Sequence, residues 1–222
     1  MTDIVDGLDE MTLEMENTQI DDLETEDVNL MFLAIDESIS MEQYVSIMKE
    51  ELRKFKTAIQ NSKESEKILV SRANFSNFIR ISGYKRIDEF DINYEVQMST
   101  RLYDVILEGA EALLAYMKHL KTQGMRVNGV FAIFSDGFDT CSRTNISNAR
   151  RMIEQLNQME IVTVFVAFGG EALEEAKRLS INNILEIGKT ETELRNAFNQ
   201  LSKSLISQSK SVVPKDNDFF EM

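Results

Sequence analysis

The hydrophobic pattern alternates between two periods along most of the chain. After Asn29 the run Leu30-Met31-Phe32-Leu33-Ala34-Ile35 is unbroken, as in a strand covered on both faces. Apolar residues at 41, 44, 45, 48, 52, 55 and 59 then trace one helical face, predicting a helix over Met41–Ser62. Lys67–Asn74 and Phe78–Ser82 read as short strands, joined by Phe75-Ser76-Asn77 into an antiparallel hairpin. Residues 83–99 form a polar connection. A second helix follows over Arg101–Thr122, burying Leu102, Val105, Ile106, Leu113, Met117 and Leu120, and Gln123-Gly124 ends it. Strand Asn128–Phe134, helix Asn145–Gln158, strand Ile161–Phe168, helix Glu171–Leu179, strand Asn183–Ile187 and helix Glu191–Ser207 complete the series. Thr190 and Glu193 have the spacing of a capping box at the last helix start. This order predicts an α/β fold, a doubly wound, mostly parallel sheet with one antiparallel strand and helices on both faces.

Charge sets the ends apart from this core. The chain of 222 residues carries −14, but residues 1–28 hold eleven acids and no Lys or Arg. The remaining 27 acids face 24 bases, so the core is close to neutral. The expected organisation is an acidic N-terminal arm over 1–28, one domain over 29–207 and a C-terminal tail over 208–222. Apolar residues scattered through the arm would allow it to fold onto its own domain. No basic patch suited to a phosphate backbone is present, so nucleic acid is not an expected partner. No run reaches the ~18–20 apolar residues that a membrane helix needs, so no membrane partner is expected either. A single cysteine, Cys141, cannot form an intrachain disulfide and suits a reducing compartment. The expected setting is the cytoplasm of a bacterium.

The candidate chemistry lies where strands end. Asp36, Ser38 and Ser40 follow the first apolar run, Thr100 opens the second long helix, and Asp136-Gly137 follows Val130–Phe134. If the two runs are neighbouring parallel strands, all five side chains meet at the carboxyl edge of the sheet, where open α/β sheets bind ligands. Hydroxyls and carboxylates without imidazole or thiolate form a hard-oxygen set, suited to Mg²⁺ or Mn²⁺ rather than zinc.

Asp36-x-Ser38-x-Ser40, Thr100 within Ser99-Thr100-Arg101, and Ser135-Asp136-Gly137 together resemble the metal-ion-dependent adhesion site of von Willebrand factor A domains, over about residues 29–207. The resemblance implies direct ligation by the hydroxyls of Ser38, Ser40 and Thr100. It implies that Asp36 and Asp136 hold the metal directly or through water. A Glu or Asp carboxylate of a partner protein would complete the coordination, making the domain a metal-dependent protein-binding module without catalysis. Two positions depart from the family pattern: Ile39 stands where a small residue is common, and Met98-Ser99 where glycines are common. Neither removes a ligand, but both could stiffen the loops or put apolar surface at the rim.

Two other readings belong beside this one. An Asp at a strand end with an acid nearby also describes Mg²⁺-dependent phosphotransfer or phosphohydrolase sites. Those usually carry a second Asp two residues on and a Lys, whereas Ser38 fills that position here and Lys189 is a weak candidate. The metal could also be a staple in a structural subunit. Asp139 and Glu37 read as solvated or supporting acids, His119 as a helix-surface residue, and Cys141 as a partly buried free thiol. The eleven acids of the arm could supply an internal carboxylate to the site.

Overall fold

A computed structural model describes residues 26–188, 190–210 and 219–221. The expected arm therefore lies almost wholly outside the described residues, as do Lys189 and most of the tail. Among these residues seven strands form one sheet: β1 (Asp27–Asp36), β2 (Ile68–Phe75), β3 (Ile79–Ile81), β4 (Lys85–Arg86), β5 (Arg126–Ser135), β6 (Val162–Phe168) and β7 (Asn183–Ile187). Their order is β3-β2-β1-β5-β6-β7, with β4 also on β2. β1 pairs in parallel with β2 and β5, and the parallel series continues through β6 and β7. Two short segments, β3 and β4, run antiparallel to β2. β3 is the partner expected from the hairpin pattern, with its turn one residue later.

Among the described residues five α-helices cover the sheet: α1 (Val45–Gln60), α2 (Leu102–Thr122), α3 (Ile146–Gln158), α4 (Gly170–Arg178) and α5 (Glu191–Gln208). Side chains alternate across a strand, and β1 divides accordingly. Leu30, Phe32 and Ala34 face α2, α3 and α4, whereas Met31, Leu33 and Ile35 face α1 and α5. This explains the unbroken apolar run, because both faces are covered. The expected fold class is the one observed. α2 approaches β1 closely at Gly109, where a Cβ would lie 2.3 Å from the Phe32 ring, itself stacked on Phe131 at 5.1 Å. The capping box of Thr190 and Glu193 opens α5.

Two segments differ from the sequence expectation. The first helix begins as a 3-10 segment over Ile39–Tyr44 and becomes α-helical only at Val45. Here the chain is still turning out of the Ser38 loop, with Met41 N–H bonded to the Ser38 carbonyl at 2.9 Å. The polar connection 83–99 is anchored by buried Tyr84, Ile87, Phe90 and Tyr94. Their spacing of three or four residues is that of a helical face, yet the segment forms only β4 and a 3-10 turn over Ile87–Glu89, so the period does not give its conformation. At the opposite edge, Phe219 is fully buried and its N–H bonds to Asn183 Oδ1, at the start of β7.

Candidate metal centre

Strand order reverses between β1 and β5, since the chain moves from β1 outward to β2 on one side and to β5, β6 and β7 on the other. The ends of these two strands flank the crevice in which such sheets bind ligands. Asp36 is the last residue of β1 and is fully buried. Its Oδ1 accepts the Ser38 N–H at 2.8 Å, and its Oδ2 accepts the Ser135 hydroxyl at 2.6 Å. Ser135 Oγ in turn accepts the Gly137 N–H at 3.0 Å. Asp36 thereby shapes its own loop and ties the end of β5 to it.

The Ser38 and Ser40 hydroxyls lie 2.9 Å apart, the first buried and the second exposed. Asp136 is half-buried just beyond β5. Ser40 and Asp136 line one cleft of about 330 Å³ with Tyr44, Phe138 and Phe168. Gly137 has φ +88, and a Cβ there would lie 2.5 Å from Ala172 Cα, so glycine is required where the chain turns past α4.

Thr100 is buried and joins the set through its backbone. Its N–H bonds to Thr140 Oγ1 at 2.8 Å, and its carbonyl accepts the N–H groups of Thr140 and Cys141 at 3.0 and 3.1 Å. Before it, the Tyr94 hydroxyl donates to the Asp36 carbonyl at 2.6 Å, and Gln97 N–H donates to the Glu37 carbonyl. The segment carrying Thr100 is thus tied to the loop after β1 on one side and the loop after β5 on the other. Among the described residues its side chain makes no hydrogen bond to Ser38, Ser40 or Asp136.

Burial pushes the Asp36 carboxyl up to about 7, against the lowering effect of the Ser135 and Ser38 hydrogen bonds and with a further push from the Asp136 charge. Among the described residues neither aspartate forms an ion pair with Lys or Arg. Two interacting carboxylates, one shut away from water, are an unfavourable arrangement unless a cation or proton neutralises them. With hydroxyls beside them they fit a hard dication such as Mg²⁺ or Mn²⁺.

Neighbouring residues have separate tasks. Glu37 is buried and turned toward Asn74 Nδ2 and the Glu95 N–H, and burial raises its carboxyl above the ordinary range. Arg72, also buried, donates to the carbonyls of Asp91 and Asn93 and holds that segment against β2. Asp139 accepts from the Ser142 hydroxyl and shapes the loop that packs on α2. Cys141 is exposed rather than partly buried, with its backbone N–H and its thiol both donating to the Thr100 carbonyl, at 3.1 and 3.5 Å. His119 is half-buried on α2 beside Tyr116 and Gln123. Sequence reasoning assigned no part to Tyr94, Ser135 or Thr140. Ser135 was discoverable, since it sits beside Asp136 at a strand end.

No protein-family model and no curated protein sequence matches the chain. Solved structures do. The pilus adhesin SpaC of Lactobacillus rhamnosus GG superposes with a TM-score of 0.65 at 12% identity, over 82% of this chain and 30% of SpaC. This chain thus spans less than a third of that adhesin. The vWF domain of the type V pili tip protein Mfa5 from Porphyromonas gingivalis gives 0.57 at 9% identity, over 81% of this chain and 95% of that domain. The SpRpn10 VWA domain gives 0.52 at 12% identity, over 78% and 95%. The fold is that of a von Willebrand factor A domain. At these identities the vWA likeness establishes architecture, and function must come from the site.

Proposed function

We propose that this chain is a divalent-metal-dependent protein-interaction module that binds a Glu or Asp carboxylate of a partner protein. Asp36, Ser38, Ser40, Thr100 and Asp136 would hold Mg²⁺ or Mn²⁺, forming a metal-ion-dependent adhesion site. The bound ion would supply positive charge and an open position for a carboxylate oxygen. The observation that carries this reading is the loop after β1. There Asp36 is buried without a cationic side chain among the described residues, and the Ser38 and Ser40 hydroxyls converge to 2.9 Å. The rest of the site keeps that loop in place: Ser135 fixes the Asp36 carboxylate, and Tyr94 fixes its carbonyl.

Two of the vWA-fold neighbours are a pilus adhesin and a pilus tip protein, which favours binding over catalysis. No observation favours the phosphotransfer reading, and the contact expected from the acidic arm falls outside the described residues. No helix among the described residues is long and apolar enough to cross a membrane. The cytoplasmic setting inferred from the lone cysteine remains part of the proposal.

Mn²⁺ titration by calorimetry tests the metal, comparing the full chain with Asp36→Ala and Asp136→Ala while circular dichroism monitors the fold. Affinity purification from native extract, in Mg²⁺ and in chelator, tests the partner. Binding that survives both chelator and Asp36→Ala with the fold intact overturns the reading. Metal removal that lowers the melting temperature without changing partner capture supports a structural staple instead, and turnover of phosphoesters would support an enzyme.

A further inference from the structure

Among the described residues five large hydrophobic side chains are exposed: Ile39, Phe78, Met98, Phe138 and Met159. Three of them interleave with the candidate ligands on three separate loops. Ile39 stands between Ser38 and Ser40 and is 50% exposed, Met98 lies two residues before Thr100 at 79%, and Phe138 lies two after Asp136 at 49%. Exposed apolar groups scattered singly need no explanation, but their concentration around one polar centre marks an interaction surface. The cleft of about 330 Å³ begins at Ser40 and Asp136 and is walled by Tyr44, Phe138 and Phe168. A residue adjacent to a bound carboxylate would enter it.

The charge around this surface limits what can approach. Beyond Phe138 a second recess carries Asp139, Glu171, Glu174 and Glu175 with Arg178 as its one cation. Arg178 is already paired with Glu175 at 2.7 Å. A second acid placed on the Phe138 side of the metal would meet this anionic recess, at a cost that falls with salt.

We propose that the partner segment presents a single Glu or Asp flanked by large apolar residues, the acid completing the metal and its neighbours packing on Ile39, Met98 and Phe138 and into the cleft. This rests on the metal-dependent reading above. Charge complementarity selects such a segment over runs of acids.

The probe is a displayed peptide library with one fixed central glutamate, panned on the full chain in Mg²⁺ and in chelator. Mg²⁺-dependent binders should be enriched in Leu, Ile, Met or Phe beside the glutamate. Their synthetic peptides should bind a variant combining Ile39→Ser, Met98→Ser and Phe138→Ser at least about tenfold more weakly, as expected from lost apolar burial. Mn²⁺ affinity and the circular dichroism of that variant should be unchanged. Binders without apolar neighbours, or equal affinity for the variant, overturn the inference. So do Mg²⁺-dependent self-association in sedimentation and a library without Mg²⁺-dependent binders although Mn²⁺ binds. Failure of the wild-type chain to bind Mn²⁺ at all defeats instead the reading on which the inference rests.

Discussion

Replacing Tyr94 by Phe isolates the part of the site that holds its loops together. The Tyr94 ring is fully buried and its hydroxyl donates to the Asp36 carbonyl at 2.6 Å. The substitution keeps the ring and removes one donor from a region closed to water. A neutral hydrogen bond contributes about 0.5–1.5 kcal/mol net, and leaving a buried acceptor short costs about 1–3 kcal/mol. A loss of about 2 kcal/mol is therefore expected. With an m-value of about 2–3 kcal/mol/M in urea, the unfolding midpoint should fall by about 0.7–1 M at unchanged m. The lost bond also links the segment carrying Thr100 to the loop carrying Ser38 and Ser40. Part of the cost should reappear as looser metal binding, about three- to tenfold weaker for Mn²⁺ by calorimetry, where tenfold corresponds to about 1.4 kcal/mol. An unchanged urea midpoint would refute the hydrogen bond as described. A lowered midpoint with unchanged Mn²⁺ affinity would reduce Tyr94 to a core residue with no part in positioning.

Further outcomes follow from the packing and from charge. Gly109→Ala should destabilise the fold by about 1–3 kcal/mol through overpacking against Phe32, read as a lowered urea midpoint with Mn²⁺ affinity retained. Gly137→Ala combines a positive φ with backbone contact at Ala172. It should lower both the melting temperature and Mn²⁺ affinity, because the strain falls next to Asp136. Asp104 is buried near the start of α2; burial raises its carboxyl, but the N–H groups of Arg143 and Thr144 and the Arg101 guanidinium outweigh that and hold it below the ordinary range. Its contribution is therefore complete above the unfolded carboxyl value of about 4 and is lost as pH falls through the folded value. Urea midpoints measured across acid pH should decline, and Asp104→Asn should flatten that decline while lowering the midpoint at neutral pH.

The architecture and the candidate ligands were both legible because each leaves a strong mark on the chain. A strand covered on both faces must be apolar at every position, so β1 and β5 stood out. Ligands at strand ends follow such runs directly, so Asp36 and Asp136 could be placed. The segment 83–99 was not legible. Tyr84, Ile87, Phe90 and Tyr94 are spaced as on a helix, yet they anchor a segment that forms none, so their period points to the wrong element. Glu37 could be seen beside the site but not oriented, since its inward partners Asn74 and Glu95 come from distant chain. The helical period of residues 41–62 concealed the 3-10 start, because 3.0 and 3.6 residues per turn differ little over six residues.

The seating of Phe219 under Asn183 has a consequence for how the domain can be attached. Asn183 begins β7, and Asp27 begins β1, where its carboxylate meets Arg126. Both ends of the described chain therefore leave from the edge where the parallel strands start. The length of β1, ten residues or about 33 Å, separates that edge from Asp36. A bead, tag or adjoining domain joined directly at Asp27 or Phe219 would start behind the sheet and leave the ligand-bearing rim facing outward. Tension applied between the two ends would load the far side of the sheet, with Phe219 and the Asp27–Arg126 pair taking the strain before the loops around Ser38 and Asp136.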